Sequence, residues 1–561
     1  MTKRKSLLLI LSLIVVLGTV LAGCGNSSKN ESSTGTEQTG SGAETAVKKG
    51  GTFKMNLHAE PPTLDPALAQ DNISGTVLNA LYAGLADLDA DGKPQPAAAE
   101  SWDVSEDGKK ITFHLRKDGK WSNGDPVTAH DFEYAWKHVL DPKAQPAAPY
   151  AYQLFYLKNA ENYNAGKGDA ASVGVKATDD YTLEVELANP TPYFISLTSF
   201  YTFLPVHKSA QTNPKWAADA NTIISNGAFK MTAWQHNGSI ELAKNENYFA
   251  QDKVNFDKVN LAMIDSSATE LSMYQTNQLD YSGGPTGEIP SDQIPTLQKS
   301  MPDEFKIQPY ASIYYYVFNN KAEPFDNAKI RKAFAMSIDR KQIVEKVTLG
   351  GQVPAYGFVT PGVMGENKQF REEHSDTELL SENVDEAKKL LAEGMAEKGY
   401  TKLPTITLIH NQGDGHKKVA QAITDMWKQN LGVDVKIESQ EWGVFLKNRT
   451  NGNYQIARSG WGADYSDPMT FLDMWVTKAG NNDSFFSNAE YDKLINEAKA
   501  TNDQKVRMDN FAKAEKILMG DNQAVLPIYY YTNVRLVKQN VKDVYIDFSG
   551  NVHFNNAYFT K

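Results

Sequence analysis

The sequence predicts a mixed α/β protein with several lobes, preceded by an export signal. The chain has 561 residues, which is enough for roughly three or four domains. Strand-like alternation and helix-like apolar stripes follow one another along it, and a complete strand–helix–strand unit is recognisable at residues 404–437. The hydrophobic fraction of 41% is ample for a large core. These observations favour the α/β or mixed α+β class.

The first element is a leader peptide, residues 1–23. Basic residues 3–5 precede an apolar run at residues 7–20, and Leu21-Ala22-Gly23-Cys24 follows. Length and flanks are typical of a signal peptide and not of a spanning helix. The sole cysteine stands directly after Ala-Gly, as in a bacterial lipobox, which predicts cleavage before Cys24 and its lipidation. An ordinary secreted protein with a chance cysteine is the alternative.

Residues 24–50 are predicted to be the lipidated cysteine and a flexible tether, because Ser, Thr, Gly and Glu dominate them. With no second cysteine, an intramolecular disulfide is excluded. The net charge of −11 argues against nucleic acid as a partner, since phosphate binding depends on Lys and Arg. It also argues against a polybasic attachment to lipid.

The body begins with a strand and a helix. Residues 111–116 alternate apolar and polar side chains, as in a half-buried strand. A turn follows at residues 121–126. Thr128 and Asp131 then have the spacing of a capping box, which predicts a helix that carries Trp136.

The strand–helix–strand unit lies later in the chain, after a helix predicted to start at Asn383. Residues 406–409 form a predicted strand, a helix runs from His416 to Gly432, and residues 433–437 form the next strand. Such a unit implies a locally parallel sheet with a crevice at the strand ends. The buried stripe of the helix is predicted to contain Val419, Ile423, Met426 and Trp427. A late helix carries Met508, Phe511, Glu515 and Leu518 and stops near Gly520.

The candidate chemistry concentrates in residues 458–468, Arg-Ser-Gly-Trp-Gly-Ala-Asp-Tyr-Ser-Asp-Pro. Asp464 and Asp467 as a glycosidase pair are disfavoured, because acids three apart in a turn rarely flank a bond. An Asx-type turn before Pro468 suits Asp467 better than Asp464. A third interpretation makes Asp464 the partner of a ligand cation. We find no metal-binding spacing and no nucleophile motif, so neither cofactor nor metal is predicted.

Five stretches together resemble the peptide-binding lipoproteins of ABC importers, and among them most closely the oligopeptide-binding proteins (solute-binding protein family 5). They are residues 99–102, 120–129, 330–340, 460–468 and 526–531. The similarity runs in the same order from about residue 51 to the C-terminus.

The resemblance implies a two-lobed periplasmic-binding-protein-like fold with a hinge and three domains. Domain I of the first lobe would comprise residues 51–82, 210–311 and 532–561. Domain II of the same lobe would comprise residues 83–209, and domain III, the second lobe, residues 312–531.

The resemblance also implies a peptide-binding site. Asp464 would hold the peptide's α-ammonium, with Trp461 and Gly460 beside its backbone and Trp442 in a side-chain pocket. Arg449, Arg458 and His416 match cations that some members aim at the α-carboxylate. The aromatic positions around the cleft are Tyr150, Tyr310, Tyr315 and Tyr530, and Asp71 and Asn72 fall where the first lobe offers backbone groups.

The residues themselves point the same way. His416 opens a helix, whose N-terminal N–H groups favour an anion. Contacts to the two termini and the backbone would not depend on the peptide's side chains, so we expect little sequence preference. From the rise per residue of an extended chain, we expect peptides of about three to five residues. Each site residue also has a structural alternative: the arginines as surface ion pairs, the aromatics as core.

We therefore expect a non-enzymatic, monomeric binding lipoprotein of a Gram-positive bacterium, anchored outside the cell membrane through Cys24. Its partners would be oligopeptides and the transmembrane subunits of an ABC permease. Alternatives are a surface-anchored hydrolase or a family member that binds a dipeptide, pheromone, nickel or haem. Gln70 stands where some relatives carry an acid. Thr348 replaces a lysine that serves dipeptides in some relatives, which weighs against dipeptides.

Overall fold

The computed structural model describes residues 46–89, 92–376, 379–547 and 550–561. The predicted leader, Cys24 and most of the predicted tether lie outside the described residues. Ala46–Lys561 form one compact unit. Among the residues that are described, no helix combines the length and the apolarity needed to cross a membrane.

The strands of the described chain lie in one large sheet and several small ones. They are β1 (Val47–Lys48), β2 (Thr52–Asn56), β3 (Ala86–Leu88), β4 (Pro94–Pro96), β5 (Ala99–Val104), β6 (Lys110–Leu115), β7 (Val175–Asp179), β8 (Thr182–Glu186), β9 (Phe229–Gln235), β10 (Ser239–Lys244), β11 (Lys258–Ala262), β12 (Tyr281–Gly283), β13 (Phe305–Phe318), β14 (Val353–Pro354), β15 (Ile406–Asn411), β16 (Val435–Gln440), β17 (Ile456–Gly462), β18 (Val525–Val537), β19 (Val541–Lys542), β20 (Tyr545–Ile546), β21 (Val552–His553) and β22 (Tyr558–Thr560).

The helices cover the sheets and fill the connections. They are α1 (Asn72–Leu81), α2 (Ala129–Val139), α3 (Ala160–Asn164), α4 (Phe194–Leu197), α5 (Ser267–Gln275), α6 (Ile294–Ser300), α7 (Ala328–Met336), α8 (Arg340–Ile343), α9 (Phe370–Glu373), α10 (Val384–Glu397), α11 (Asp414–Leu431), α12 (Trp442–Thr450), α13 (Met469–Leu472), α14 (Ala489–Lys499) and α15 (Gln504–Glu515).

The large sheet joins two lobes through two long strands. Its order is β16-β15-β17-β13-β18-β12-β2-β11-β10-β9, with β14 paired to β18. The antiparallel pairing of β13 with β18 is interrupted between Pro309 and Ile313, where the strands pass from one half of the sheet to the other. We call the chain before β13 and after β18 the first lobe, and the chain between those strands the second lobe. This confirms the expected two-lobed α/β fold, and the three domain boundaries stay a prediction.

The first lobe carries a separate four-stranded antiparallel sheet of order β5-β6-β8-β7. The capping box predicted at Thr128 and Asp131 is present at the start of α2. Trp136 of that helix is fully buried and donates its indole N–H to Phe203 O at 2.8 Å. Because this sheet and its helix are inserted between β4 and β9, they bring residues 150–200 to the rim of the cleft.

The strand–helix–strand unit of the second lobe is confirmed. Strands β15 and β16 are parallel, and α11 between them begins at Asp414, two residues before the predicted start. Gly432 ends the helix with φ 70°, a left-handed conformation that glycine adopts without a Cβ clash. The predicted stripe is buried, and Trp427 packs against Phe334 at 4.9 Å between ring centroids.

The predicted tether is shorter at its C-terminal end than expected. Val47 and Lys48 pair antiparallel with Thr560 and Phe559 of β22, so residues predicted to be flexible form a strand with the end of the chain. The composition of residues 46–50 gave no sign of this pairing, because the partner strand is about as distant in sequence as the chain allows.

Candidate functional site

A cavity of about 310 Å³ lies between the lobes, beside the interrupted strands β13 and β18. A smaller cavity of about 60 Å³ adjoins it and shares Gln70, Asn72 and Trp461 with it. The predicted residues that line the larger cavity are Asp71, Asn72, Tyr310, His416, Trp442, Arg449, Arg458, Gly460 and Trp461. Asp464, Tyr150 and Tyr315 line the smaller one. The structure thus brings together all but one of the predicted site residues.

Asp464 lies two residues past the end of β17 and has no cationic partner among the described residues. Its Oδ2 accepts a hydrogen bond from Gln153 Nε2 at 2.7 Å, and its backbone N–H donates to Thr470 Oγ1 at 3.0 Å. No Lys, Arg or His among the described residues forms an ion pair with it. Burial, and then the charge of Asp473, raise the pKa of its carboxyl well above the ordinary value. A cationic ligand group would favour the ionised form of this carboxyl and pair with it.

The indole of Trp461 forms the wall beside Asp464. It stacks on Tyr150 of the first lobe, with ring centroids 5.9 Å apart and planes inclined by 29°. Its Nε1 is buried and has no hydrogen-bond partner within the described part of the chain. Buried donors in native proteins are almost always paired, so this N–H is available to a ligand.

Arg458 occupies the other end of β17 and is also held without a counter-ion. The side chain is only 9% exposed. Its guanidinium lies over the ring of Tyr314, 4.8 Å from the centroid, and donates to the Tyr531 hydroxyl and to Asn411 Oδ1. Its Nε has no partner, and no carboxylate lies within ion-pair distance in the described residues. A ligand carboxylate would complete this environment.

Arg449, by contrast, is already neutralised. Its Nε donates to Asp483 Oδ2 at 2.6 Å, and both side chains are nearly buried. Its Nη1 donates to Ser459 Oγ at 3.1 Å. The two arginines that the sequence treats alike are therefore in different electrostatic states.

His416 is buried near Arg458, and this environment favours the neutral imidazole over the cation that the resemblance implies. Burial, followed by the positive charges of Arg458 and His58, lowers its pKa well below the ordinary value. The ring lies in the first turn of α11 and packs against Tyr314 at 5.6 Å between centroids. In this state it can exchange hydrogen bonds with a ligand but adds no charge.

Tyr530 is turned away from both cavities, contrary to the prediction. Its hydroxyl donates to Gly357 O at 3.2 Å and lies 3.1 Å from Asp376 Oδ2. Successive side chains of a strand point to opposite faces, so its neighbours Tyr529 and Tyr531 line the larger cavity instead. Because three tyrosines follow one another, the sequence does not indicate which of them lie on the face of the strand towards the cavity.

Asp71 and Asn72 lie at the start of α1. The carboxylate of Asp71 caps the helix by accepting from the N–H groups of Ile73 and Ser74 at 3.1 and 3.0 Å. Asn72 Nδ2 donates to Gly550 O at 3.3 Å. Because the side chain of Asp71 serves the helix, any contact of this residue with a ligand would fall to its backbone.

One edge of β17 is free to accept a further strand. The edge that faces β13 is paired throughout, from Ile456 to Gly462. The opposite edge pairs with β15 only at Ile456 and Ala457, and no described strand continues that ladder. Backbone N–H and C=O groups from Arg458 to Gly462 are therefore open to an extended ligand.

The lobes contact each other at both rims of the cleft. On the Asp464 side, the ring of Tyr193 stacks on Tyr465 at 4.9 Å, and the hydroxyls of Tyr156 and Tyr465 are 3.3 Å apart; we call these three residues the tyrosine latch. On the opposite side, Ser267 Oγ donates to Asp414 Oδ2 at 2.8 Å. These contacts hold the two lobes together on both sides of the cavities.

Sequence reasoning missed Gln153, Asp483 and Tyr531, each of which bonds a predicted residue. Gln153 and Asp464 are separated by 311 positions, so no local pattern announces the contact. Asp467 is in the predicted turn, where it accepts from the Met469 N–H. The structure adds an ion pair of Asp467 with Arg507 at 2.8 Å.

Two lobes joined by a pair of strands, with a cavity between them, are the architecture of solute-binding proteins. The chain belongs to the bacterial extracellular solute-binding proteins, family 5, whose model matches residues 93–483. It is 43% identical to the oligopeptide-binding protein OppA of Bacillus subtilis (strain 168), with 100% of each chain covered. These relatives are named as binding proteins and not as enzymes.

Solved structures agree in fold and differ in their degree of similarity. The Haemophilus influenzae OppA complex with RPPGFSPFR is 36% identical, with a TM-score of 0.84, and covers 92% of this chain and 100% of its own. The unliganded open form of the murein tripeptide-binding protein MppA is 32% identical and covers 92% and 99%, but its TM-score is 0.60. The present arrangement of the lobes is therefore closer to a peptide complex than to that open form.

Proposed function

We propose that this chain captures oligopeptides by their two charged ends and their backbone, and delivers them to a peptide ABC importer. The observation that carries the proposal is a buried guanidinium on β17 and a buried carboxyl just after it, neither of which has an ionic partner in the described residues. Asp464 would hold the α-ammonium and Arg458 the α-carboxylate. The names of the relatives and the peptide bound in one of their solved structures support the same substrate class.

The spacing of the two charges fits short peptides. Arg458 and Asp464 are six positions apart along a mostly extended segment, which spans roughly 20 Å. Extended peptides of three to five residues are about 10–18 Å long. The open edge of β17 offers them backbone hydrogen bonds that do not depend on sequence, which supports broad specificity.

The direct test is to identify what the protein carries. A fragment that starts at Ala46, and so keeps β1, is purified, unfolded, and its released ligands are analysed by mass spectrometry. We expect a mixture of peptides of three to five residues with varied sequences and free termini. A single non-peptide ligand, or dipeptides alone, would contradict the proposal.

We further propose that the protein is a monomer anchored to the membrane by lipid on Cys24. Several acyl chains on one residue give durable attachment, whereas a single chain is marginal. Cys24→Ala should release the protein into the medium or leave the leader uncleaved, as measured by cell fractionation and by the mass of the product. Normal processing with unchanged membrane retention would contradict the anchor.

A further inference from the structure

Gln153 places a neutral donor on the carboxylate that is assigned to the ammonium. It lies in the short helix Ala151–Leu154 of the first lobe and is 1% exposed. Its Nε2 donates to Asp464 Oδ2 at 2.7 Å. The amide nitrogen faces Asp464, which is the orientation that an ionised carboxylate requires, because it only accepts hydrogen bonds. The amide oxygen Oε1 is then buried, and it has no partner in the described residues.

We propose that Gln153 is a positioning residue that sets the preference of the site for a free peptide N-terminus. This rests on the proposed function, in which Asp464 holds the ammonium. The amide fixes the carboxylate from the opposite lobe and leaves its charge intact. A lysine or arginine at this place would neutralise Asp464 and compete with the ligand.

The surroundings of Asp464 explain why a neutral donor is needed. The titratable groups around it are Asp473, Tyr150, Tyr152 and Tyr201. The tyrosines are neutral, and Asp473 is an acid whose own partner is Lys499 at 3.6 Å, so no cation is paired with Asp464 itself among the described residues. The bonds from Gln153 and Thr470 oppose the rise in the pKa of Asp464 that burial and Asp473 cause. Loss of the Gln153 bond should leave Asp464 less ionised and less well oriented.

The unpaired Oε1 adds a second reason. An ammonium group has three N–H donors and no acceptor. Asp464 can satisfy only some of them, and the amide oxygen of Gln153 is bonded to no described residue. The same side chain thus supplies a donor to the carboxylate and carries an acceptor that no described residue uses.

The test compares free and N-acetylated tetrapeptides by calorimetry on the full protein and its Gln153→Met variant. We expect the free peptide to bind about 10- to 100-fold more weakly to the variant, because a hydrogen bond to a charged group is lost. The acetylated peptide should bind almost equally to both proteins. The pH at which free-peptide affinity falls should also move upward in Gln153→Met.

Gln523 provides a matched control. It is fully buried, donates its Nε2 to Val525 O at 2.7 Å, and also has an unpartnered Oε1, but it makes no hydrogen bond to Asp464. Gln523→Met should lower thermal stability without changing the ratio of the two affinities. If Gln153→Met does not fold, Gln153→Asn keeps an amide but shortens its reach, and should reduce the same ratio.

The outcomes separate the two proposals. If Asp464→Asn abolishes the preference for the free peptide while both Gln153 variants keep it in full, the role of Gln153 is overturned and the proposed function stands. If Asp464→Asn also keeps the preference, the ammonium site itself is wrong. A reduced preference in the Gln153 variants alone, with Gln523→Met unchanged, supports the positioning role.

Discussion

Arg458 on β17 and Asp464 just after it mark the two ends of the site, which we call the basic end and the acid end. The two side chains have different electrostatic surroundings. At the acid end the carboxylate of Asp464 accepts from the Gln153 amide, and its backbone N–H donates to the Thr470 hydroxyl. Asp473 lies nearby. At the other end Arg458 lies over a tyrosine ring and donates to a hydroxyl and an amide oxygen. Asp473 disfavours the ionised form of Asp464. The groups around Arg458 are neutral and electron-rich, and they favour its positive charge.

This difference shows which end depends more on a ligand. A buried charge without a partner costs free energy, and a carboxyl group can escape that cost by taking up a proton. Arginine cannot lose its proton in proteins, so Arg458 must be stabilised by its surroundings in the empty state. We therefore expect the acid end to be tuned by pH and the basic end to be insensitive to it.

The largest effect should come from the acid end. Asp464→Ala should weaken binding of a free tetrapeptide by about 2–5 kcal/mol, because the ammonium is left desolvated and unpaired. The same peptide acetylated at its N-terminus should bind wild type weakly and lose little more on mutation. Calorimetry on both proteins with both peptides completes a double-mutant cycle. Equal losses on acetylation in wild type and mutant would exclude Asp464 as the ammonium site.

Asp467→Ala is the control for this cycle. The residue is three positions away and caps Met469 while it pairs with Arg507. Its loss should lower stability and leave the preference for a free N-terminus unchanged.

The next effect is expected at the basic end. Arg458→Gln should weaken peptides with a free C-terminus by about 1.5–3 kcal/mol, the usual value of a hydrogen bond to a charged group. C-terminally amidated peptides should be much less affected. The measurement is a competition assay with matched acid and amide peptides. A uniform loss for both would mean that Arg458 supports the cavity wall and does not bind the carboxylate.

Arg449→Gln sharpens the contrast between the two arginines. Since Arg449 is paired with Asp483, its removal should destabilise the fold by leaving a buried carboxylate without its partner. The double variant with Asp483→Asn should recover much of that stability. The ratio of acid to amide affinity should change less than in Arg458→Gln.

The contrast between the arginines marks the limit of sequence reasoning. The strand–helix–strand unit, the capping box at Thr128 and the glycine stop at Gly432 follow from local spacing, and the structure has them. Which residues share the cavity followed from the family resemblance. The charge state of each did not, because it depends on partners such as Asp483 and Gln153 that lie 34 and 311 positions away. Tyr530 was misplaced for a related reason, since a run of three tyrosines has no periodicity to define its inner face.

A smaller effect should follow from opening the tyrosine latch. Tyr465→Leu removes the stack on Tyr193 and the contact with the Tyr156 hydroxyl. An aromatic pair contributes about 0.5–1.5 kcal/mol beyond burial, so affinity should fall by up to about tenfold. Closure does not depend on terminal charge, so free, acetylated and amidated peptides should weaken by the same factor. Small-angle scattering should show a larger radius of gyration at subsaturating peptide.

A latch effect that differed between free and acetylated peptides would break the comparison, because it would place the latch in direct contact with the ammonium. In that case the recognition of the peptide's N-terminus could not be separated from the closure of the lobes.

The smallest effect at neutral pH should come from the titration of Asp464, which makes the affinity for a free peptide depend on pH. It is also the effect that distinguishes the two ends most directly. Burial and then Asp473 raise the pKa of Asp464, whereas binding of an ammonium requires the ionised carboxylate. Peptide binding should therefore expel a proton below that pKa, and free-peptide affinity should fall as the pH is lowered through it, by at most about tenfold per pH unit. The folding stability of the empty protein should change with pH in the opposite direction to the affinity. A raised carboxyl pKa contributes stability at low pH that is lost as the pH rises through it.

Asp464→Asn separates this titration from others in the cleft. Burial and the charge of Asp414 raise the pKa of Glu288 to about 7, so this group also titrates near neutrality. The Glu288 contribution should persist in Asp464→Asn and should be the same for free and acetylated peptides. Calorimetry in buffers of different ionisation enthalpy counts the protons released. If wild type and Asp464→Asn release the same number on binding the free peptide, Asp464 is already ionised in the empty cavity, and the two ends hold their charges alike.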